Sequence, residues 1–314
     1  MRALITGSGG FVGGYLRREL EEHGYEVLGL DVRPQAGTIQ ADLLDPEQMA
    51  RAIRAARPDA VFHLAGQADV ARSWREPRET MEVNVIGAVD LMEAVRAFDP
   101  SVRMVLVGSS DQYGELGDAG RRVEEAREPR PRTPYAVSKQ AQEELAQLYV
   151  RAHGMDLRMT RSFNHAGPGQ REGFLIADFA AGIARVEQGL APCLKVGDLE
   201  ARRDFTHVRD VVRAYRLICE QGRPGEVYNV GSGRAHSVRE ILDRLLAMAS
   251  CPVPVVQDPA RLRPSDTRVI CCDHSKLTLH TGWAPQIPLD AILSDVLREW
   301  RENVQKGLEV CCKN

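Results

Sequence analysis

Through its first half the chain alternates short apolar runs with stretches whose apolar residues recur at helical spacing. Residues 3–6, 26–30, 60–64 and 103–107 are apolar enough for strands that are buried on both faces. Between them lie predicted helices at 11–23, closed by Gly24, at 46–56, and at 80–98. A further long helix is predicted over 134–153, with Pro134 suited to its first turn. Strand–helix alternation of this kind predicts an α/β fold with a parallel sheet covered on both sides. After about residue 164 the rhythm changes and glycine and proline punctuate the chain, as in Gly167-Pro168-Gly169 and Pro252-Val253-Pro254. The expected organisation is a sheet domain over 1–165 and a smaller lobe over 166–314. The lobe is expected to close over the mouth of the sheet, with the chain returning to the sheet near 193–196 and 227–230. No internal repeat or low-complexity segment is evident.

The 314 residues suffice for a large core without covalent staples. The net charge of −3 lacks the basic excess of a nucleic-acid-binding surface, so no nucleic-acid partner is expected. Seven cysteines include two adjacent pairs, Cys271-Cys272 and Cys311-Cys312, and no CxxC. Such usage fits reduced thiols in a cytoplasmic protein. Cys271, Cys272 and His274 are ligand-type side chains close in sequence, but no metal is expected. The chain opens at once on a strand-like run rather than a leader, and no apolar run of about 18 residues exists, so no membrane span is expected.

The first chemical motif lies between the first strand and first helix, Thr6-Gly7-Ser8-Gly9-Gly10-Phe11-Val12-Gly13. Gly7, Gly10 and Gly13 permit a tight turn and close backbone approach to a pyrophosphate, which the helix N-terminus then attracts. Asp31 ends the second strand, where a carboxylate accepts both ribose hydroxyls and repels a 2′-phosphate. NAD(H) is therefore favoured, with NADP(H) possible because Arg33 could receive that phosphate. Asp42 and Leu43 are placed to meet the adenine edge, and Leu64, Ala65 and Gly66 to line the cofactor with small residues. The second motif is Tyr135 and Lys139, four apart on one helix face. An ammonium beside a phenol lowers its pKa toward a usable acid–base range. Ser109, at the carboxyl end of a strand, is placed to hold the same substrate oxygen.

Together with His63-Leu64-Ala65 and Asn84, these motifs resemble the extended short-chain dehydrogenase/reductase family, over the whole chain. The resemblance implies a Rossmann-type doubly wound sheet, a nucleotide-sugar-binding C-terminal lobe, and hydride transfer at a sugar carbon. Tyr135 and Lys139 would then contact the cofactor, as would Asn84. Homodimers are also implied, through the two long helices at 80–98 and 134–153.

The second half is similar to the GDP-sugar branch of that family. Residues 161–170, 196–205 and 261–266 carry this likeness. It assigns substrate contacts to Asn164, Lys195, Arg203, Arg263 and Asp266: arginine forks for phosphate and an acid for ribose. Within the branch the wording is nearer to the reductase of GDP-4-dehydro-6-deoxy-D-mannose, which forms GDP-D-rhamnose, than to the 4,6-dehydratase of GDP-mannose. Phe11-Val12 in the glycine loop and Ser109 both favour the reductase. Asp111 keeps the dehydratase open, since a carboxylate two residues past the serine can serve as a base at C5. The remote alternative is a dinucleotide sensor without catalysis.

Overall fold

The computed structural model describes residues 1–114, 122–261 and 269–311. The sheet-domain elements run β1 (Arg2–Thr6), α1 (Phe11–Glu22), β2 (Glu26–Asp31), β3 (Thr38–Gln40), α2 (Pro46–Ala56) and β4 (Ala60–His63). They continue with α3 (Val70–Arg75), α4 (Pro77–Met81), α5 (Gly87–Phe98), β5 (Arg103–Ser109), α6 (Pro134–His153) and β6 (Leu157–Ser162). Then follow β7 (Asn164–Ala166), α7 (Leu175–Glu187), β8 (Leu194–Val196), β9 (Arg202–His207), α8 (Val208–Gln221) and β10 (Val227–Val230). The last are β11 (Ala235–Ser237), α9 (Val238–Ala247), β12 (Val255–Gln257), α10 (Ser275–Thr281) and α11 (Leu289–Cys311).

Seven strands form one parallel sheet in the order β10-β6-β5-β4-β1-β2-β3. The order reverses between β1 and β4, the place where doubly wound sheets bind ligands. Strand alternation divides the core between the two faces. Leu4, Val61, Met104 and Leu106 pack with Met49, Ile53, Leu91 and Val95 from α2 and α5. Ile5, Phe62 and Val105 point the other way, onto Leu16 and Leu20 of α1 and Val211, Tyr215 and Ile218 of α8. The helix ends follow their sequence signals. Thr133 caps α6 by accepting from Ala136 N at 3.0 Å, Pro134 opens its first turn, and Gly154 closes it in the left-handed region.

Two expectations need correction. The helix expected over 80–98 begins earlier, at Pro77, and is interrupted by a π-turn over Glu82–Ile86. The wider turn carries Asn84, whose side chain is fully buried and bonded to its surroundings. Of the two expected returns to the sheet, 227–230 is β10 and pairs with β6. The run at 194–196 instead pairs with β12 in a separate two-stranded sheet. A three-residue strand carries no signal for which distant edge it will join.

The second lobe is built on α7, α9 and α11, whose Phe179, Ile183, Ile241, Leu245, Ile292 and Leu297 share a core with Val196 and Phe205. A three-stranded sheet, β11-β9-β7, sits beside it. Asp204 of β9 is buried and accepts from Ser232 N (2.8 Å), Gly233 N (2.8 Å) and Cys272 N (3.0 Å). One carboxylate thus joins β9 to the segment after β10 and to the one before α10.

Candidate active site

The carboxyl ends of the parallel strands bring the sequence motifs to one edge. Gly7 follows β1 with φ +70°, and its N–H donates to Leu30 O at 2.8 Å. A Cβ at Gly7 would lie 2.8 Å from both Cα and N of Ala65, so the turn closes against the segment after β4. Gly10 is the N-cap of α1, which has no side-chain cap and no acid in its first turn. Phe11, Val12 and Gly13 make up that first turn, and a Cβ at Gly13 would lie 2.4 Å from Ser8 O. The amides of Gly7, Ser8, Gly9 and Gly10 are taken up by Leu30 O, Gly7 O and Asp31, so it is the uncapped first turn of α1 that is offered to an anion.

Asp31, at the end of β2, is buried; its carboxylate accepts from Gly9 N and Arg33 N, each at 3.0 Å. The exposed Arg33 guanidinium stands 3.8 Å from the same carboxylate. Asp42 is exposed and accepts from Leu44 N at 3.0 Å. The Leu43 side chain is in the core, against Gly87, which leaves only its backbone for a cofactor. Past β4, Leu64 N donates to Thr6 O and Ala65 N to Thr6 Oγ1. Asn84 accepts from Gln67 N at 2.7 Å and donates to Ser138 Oγ at 2.9 Å, tying this segment to α6. A Cβ at Gly66 would lie 2.9 Å from Asn84 Oδ1 and 3.6 Å from Lys139 Nζ. Gly66, Asn84 and Lys139 thus share one wall. His63, fully enclosed below it, meets Thr6 Oγ1 at 2.8 Å. Burial, aided by the Lys139 charge, pushes its pKa down to about 3, so it is neutral.

Ser109 ends β5 and begins a 3-10 turn over Ser110–Tyr113. Its hydroxyl accepts from Asp111 N at 3.2 Å and stands close enough to the Tyr135 phenol to favour the ionised form. The expected lowering of the Tyr135 pKa is not found. Burial pushes the phenol well above its ordinary value, the Asp111 carboxylate adds to this, and the neighbouring Ser109 hydroxyl works against it. Lys139 is directed elsewhere: its Nζ donates to Val107 O (2.8 Å) and Gln142 Oε1 (3.0 Å). Burial brings the Lys139 pKa down to about 8. Tyr135 is thus a held proton donor rather than a ready base.

The expected substrate residues are scattered by comparison. Asn164 opens β7, half-buried, just beyond β6. The next residue, His165, stacks its ring parallel to Phe11 of the glycine loop, with centroids 6.3 Å apart. Tyr15 OH donates to Pro168 O at 2.8 Å, a second link between α1 and the lobe. Arg203 lies on β9 and donates to Arg202 O. Lys195 is exposed on β8, its Nζ 3.9 Å from Asp258. Arg263 and Asp266 lie outside the described residues. The sequence reading missed Gln112 and Glu143, buried behind Ser109, and took Arg161 only as the start of the substrate-like stretch 161–170, whereas it is buried against Glu143. Glu143 follows Lys139 by four residues on the same helix, a spacing that could have drawn notice.

The fold and this edge define a Rossmann-type enzyme of the extended short-chain dehydrogenase/reductase class. A family model described as GDP-mannose 4,6 dehydratase matches residues 4–296, and the chain belongs to that family. It is 38% identical to the GDP-6-deoxy-D-mannose reductase of Pseudomonas aeruginosa over 97% of this chain and 99% of that one. It is 27% identical to a GDP-mannose 4,6-dehydratase of Vibrio cholerae, over 95% of this chain and 93% of that one. Among solved structures it resembles RMD from Pseudomonas aeruginosa complexed with NADPH: TM-score 0.88, 37% identity, 96% of this chain and 99% of that one. It also resembles the Thermus thermophilus UDP-glucose 4-epimerase complex with NAD: TM-score 0.86, 32% identity, 96% of this chain and 99% of that one.

Proposed function

We propose that the chain is an NAD(P)H-dependent reductase that converts the C4 keto group of GDP-4-dehydro-6-deoxy-D-mannose to an alcohol, giving GDP-D-rhamnose. The observation that carries this reading is the Ser109–Tyr135 pair beside buried Lys139, in a chain alike over nearly its full length to a GDP-6-deoxy-D-mannose reductase. When bound, the nicotinamide dinucleotide supplies the hydride. The glycine cradle fits that group: its close approaches leave no room for side chains, and the amides of α1 face outward uncapped.

The remaining work falls to the chain. Ser109 orients the carbonyl oxygen by hydrogen bonding. Tyr135 delivers its proton to that oxygen as negative charge develops there. Burial and Asp111 keep the phenol protonated beforehand, which is the state a reduction requires. Lys139 supplies positive charge nearby and, with Asn84, a polar wall for the cofactor ribose. Asp31 holds the adenosine ribose and favours NAD(H), although Arg33 offers a contact for NADP(H). Asn164, Lys195 and Arg203, together with Arg263 and Asp266, receive the GDP sugar.

Asp111 supports the second reading, a GDP-mannose 4,6-dehydratase. That reaction begins by oxidising the C4 alcohol, for which Tyr135 must act as a base. The two separate in one experiment. The protein is incubated with GDP-mannose alone, and separately with the keto sugar plus NADH or NADPH. Net cofactor oxidation with the keto sugar only is the expected result, and turnover of GDP-mannose without net cofactor consumption establishes the dehydratase. Tight cofactor binding without either activity would point to a sensor.

The protein is read as a cytoplasmic homodimer. The described cysteines 193, 219, 251, 271 and 272 are free thiols, suiting a reducing compartment. Among the described residues no helix is long and apolar enough to cross a membrane. Ile86, Val137 and Leu148 are exposed on the π-turn and α6, the helical segments assigned to the dimer. Sedimentation at twice 34.8 kDa, lost on Leu148→Arg, is expected; a wild-type monomer at micromolar concentration would refute the assembly.

A further inference from the structure

Behind Ser109 lies a buried polar chain that the reaction chemistry leaves unused. The Ser109 N–H, at the end of β5, donates to Gln112 Oε1 at 2.9 Å. Gln112 is fully buried, and its Nε2 donates to Gln140 Oε1 (3.0 Å) and Glu143 Oε2 (2.9 Å). Both acceptors belong to α6, the helix that carries Tyr135 and Lys139. Glu143 also receives the Arg161 fork, Nε at 2.9 Å and Nη2 at 2.6 Å, with both side chains about 5% exposed or less. Arg161 comes from β6, where it is in register with Gly108. Its guanidinium sits 4.7 Å above the Tyr113 ring, and Tyr113 OH donates to Asn229 Oδ1 at 2.7 Å. Both ends of the turn that bears Ser109 and Asp111 are therefore tied to one ion pair.

A buried ion pair is weak evidence for stability, since well-packed apolar side chains often serve as well. What a polar chain adds is direction: each bond holds only if donor and acceptor keep their places. Here those bonds fix the spacing between the end of β5 and α6. That spacing sets whether the Ser109 hydroxyl and the Tyr135 phenol reach a common oxygen.

We propose that Gln112, through the Glu143–Arg161 pair, is a positioning residue that holds the Ser109 turn against α6. The claim rests on the reductase reading for its kinetic readout, but not for its structural one. Gln112→Met keeps the length of the side chain and removes both its acceptor and its donors. A shift of about 1 Å in a reacting group costs on the order of a hundredfold in rate. The kcat of Gln112→Met is therefore expected to fall roughly ten- to a hundredfold. The NADH dissociation constant should stay within twofold, because the glycine loop is not part of the chain.

The pair can also be exchanged. Gln112→Glu alone sets two carboxylates against each other, and Glu143→Gln alone leaves Arg161 without its counter-charge. The double variant restores the charge balance, one carboxylate beside one guanidinium, with the Gln–Glu hydrogen bond reversed, and gives up the bonds from Arg161 Nε to residue 143 and from residue 112 to Gln140. It should recover kcat in part, to several-fold above either single variant, while each single variant stays at least tenfold below wild type. Amide exchange across residues 107–113 should speed up in Gln112→Met and return toward wild type in the double variant. A Gln112→Met enzyme with wild-type kcat, or a double variant no better than the worse single, would overturn the proposal. If the wild type fails to reduce the keto sugar, the functional reading falls instead. Exchange then decides alone: faster 107–113 exchange in Gln112→Met supports the positioning role, and unchanged exchange refutes it.

Discussion

Replacing Gly7 by alanine tests the cofactor cradle at its tightest point. The new methyl would sit 2.8 Å from two backbone atoms of Ala65, where carbon contacts prefer about 3.5–4.0 Å. Overpacking of this kind costs roughly 1–3 kcal/mol. The φ of +70° adds about 1–2 kcal/mol for a residue with a Cβ. The sum, roughly 2–5 kcal/mol, can be relieved without cofactor by letting the loop move away from the segment after β4. Binding requires the closed loop, so the cost reappears in the dissociation constant. A weakening of at least about 30-fold is expected for NADH, measured by fluorescence titration. Gly14→Ala is the control, because nothing lies within 4 Å of a Cβ there and its helix gains about 1 kcal/mol of propensity. It should bind NADH as the wild type does. An affinity for Gly7→Ala within threefold of wild type would refute the reasoning.

Three further outcomes are expected. Tyr135→Phe should lower kcat by roughly 10²–10⁴ while leaving the NADH dissociation constant within twofold, and near-normal turnover would remove Tyr135 from its role. Lys139 titrates at about 8 rather than 10.5, so its positive charge is present below pH 8 and lost above it. Accordingly kcat/KM should decline as pH rises through 8, and a profile flat to pH 10 would contradict the assignment. Asp31→Asn removes the carboxylate that opposes a 2′-phosphate and leaves Arg33 in place. The NADPH-to-NADH preference should rise by about tenfold; an unchanged ratio of kcat/KM values would show that Asp31 does not read the ribose.

Local signals carried much of the architecture. The glycine turn, Asp45 before Pro46, and Thr133-Pro134 each act within a few residues, and α2 and α6 occupy the expected spans. The order of the motifs along alternating strands was enough to place Gly7, Asp31, Gly66 and Ser109 on one edge. What escaped depends on partners distant in sequence. Residues 194–196 read as a sheet strand, but their partner is β12, some sixty residues on. Lys139 was expected to serve Tyr135, yet the end of β5 offers a carbonyl at Val107 and its own helix offers Gln142. Leu43 was assigned to the cofactor edge, whereas Gly87 leaves a hole in the core that its side chain fills. Gln112 gave no signal at all, because a lone glutamine after a strand has no pattern until Glu143 and Arg161 surround it.

The central claim is reduction of a GDP-linked 4-keto sugar. Its most direct test follows NADH absorbance at 340 nm with purified GDP-4-dehydro-6-deoxy-D-mannose, with product identified by NMR. Stoichiometric loss of NADH or NADPH with formation of GDP-D-rhamnose is the result expected. Conversion of GDP-mannose to the keto sugar at constant cofactor, with the keto sugar itself left unreduced, would contradict it.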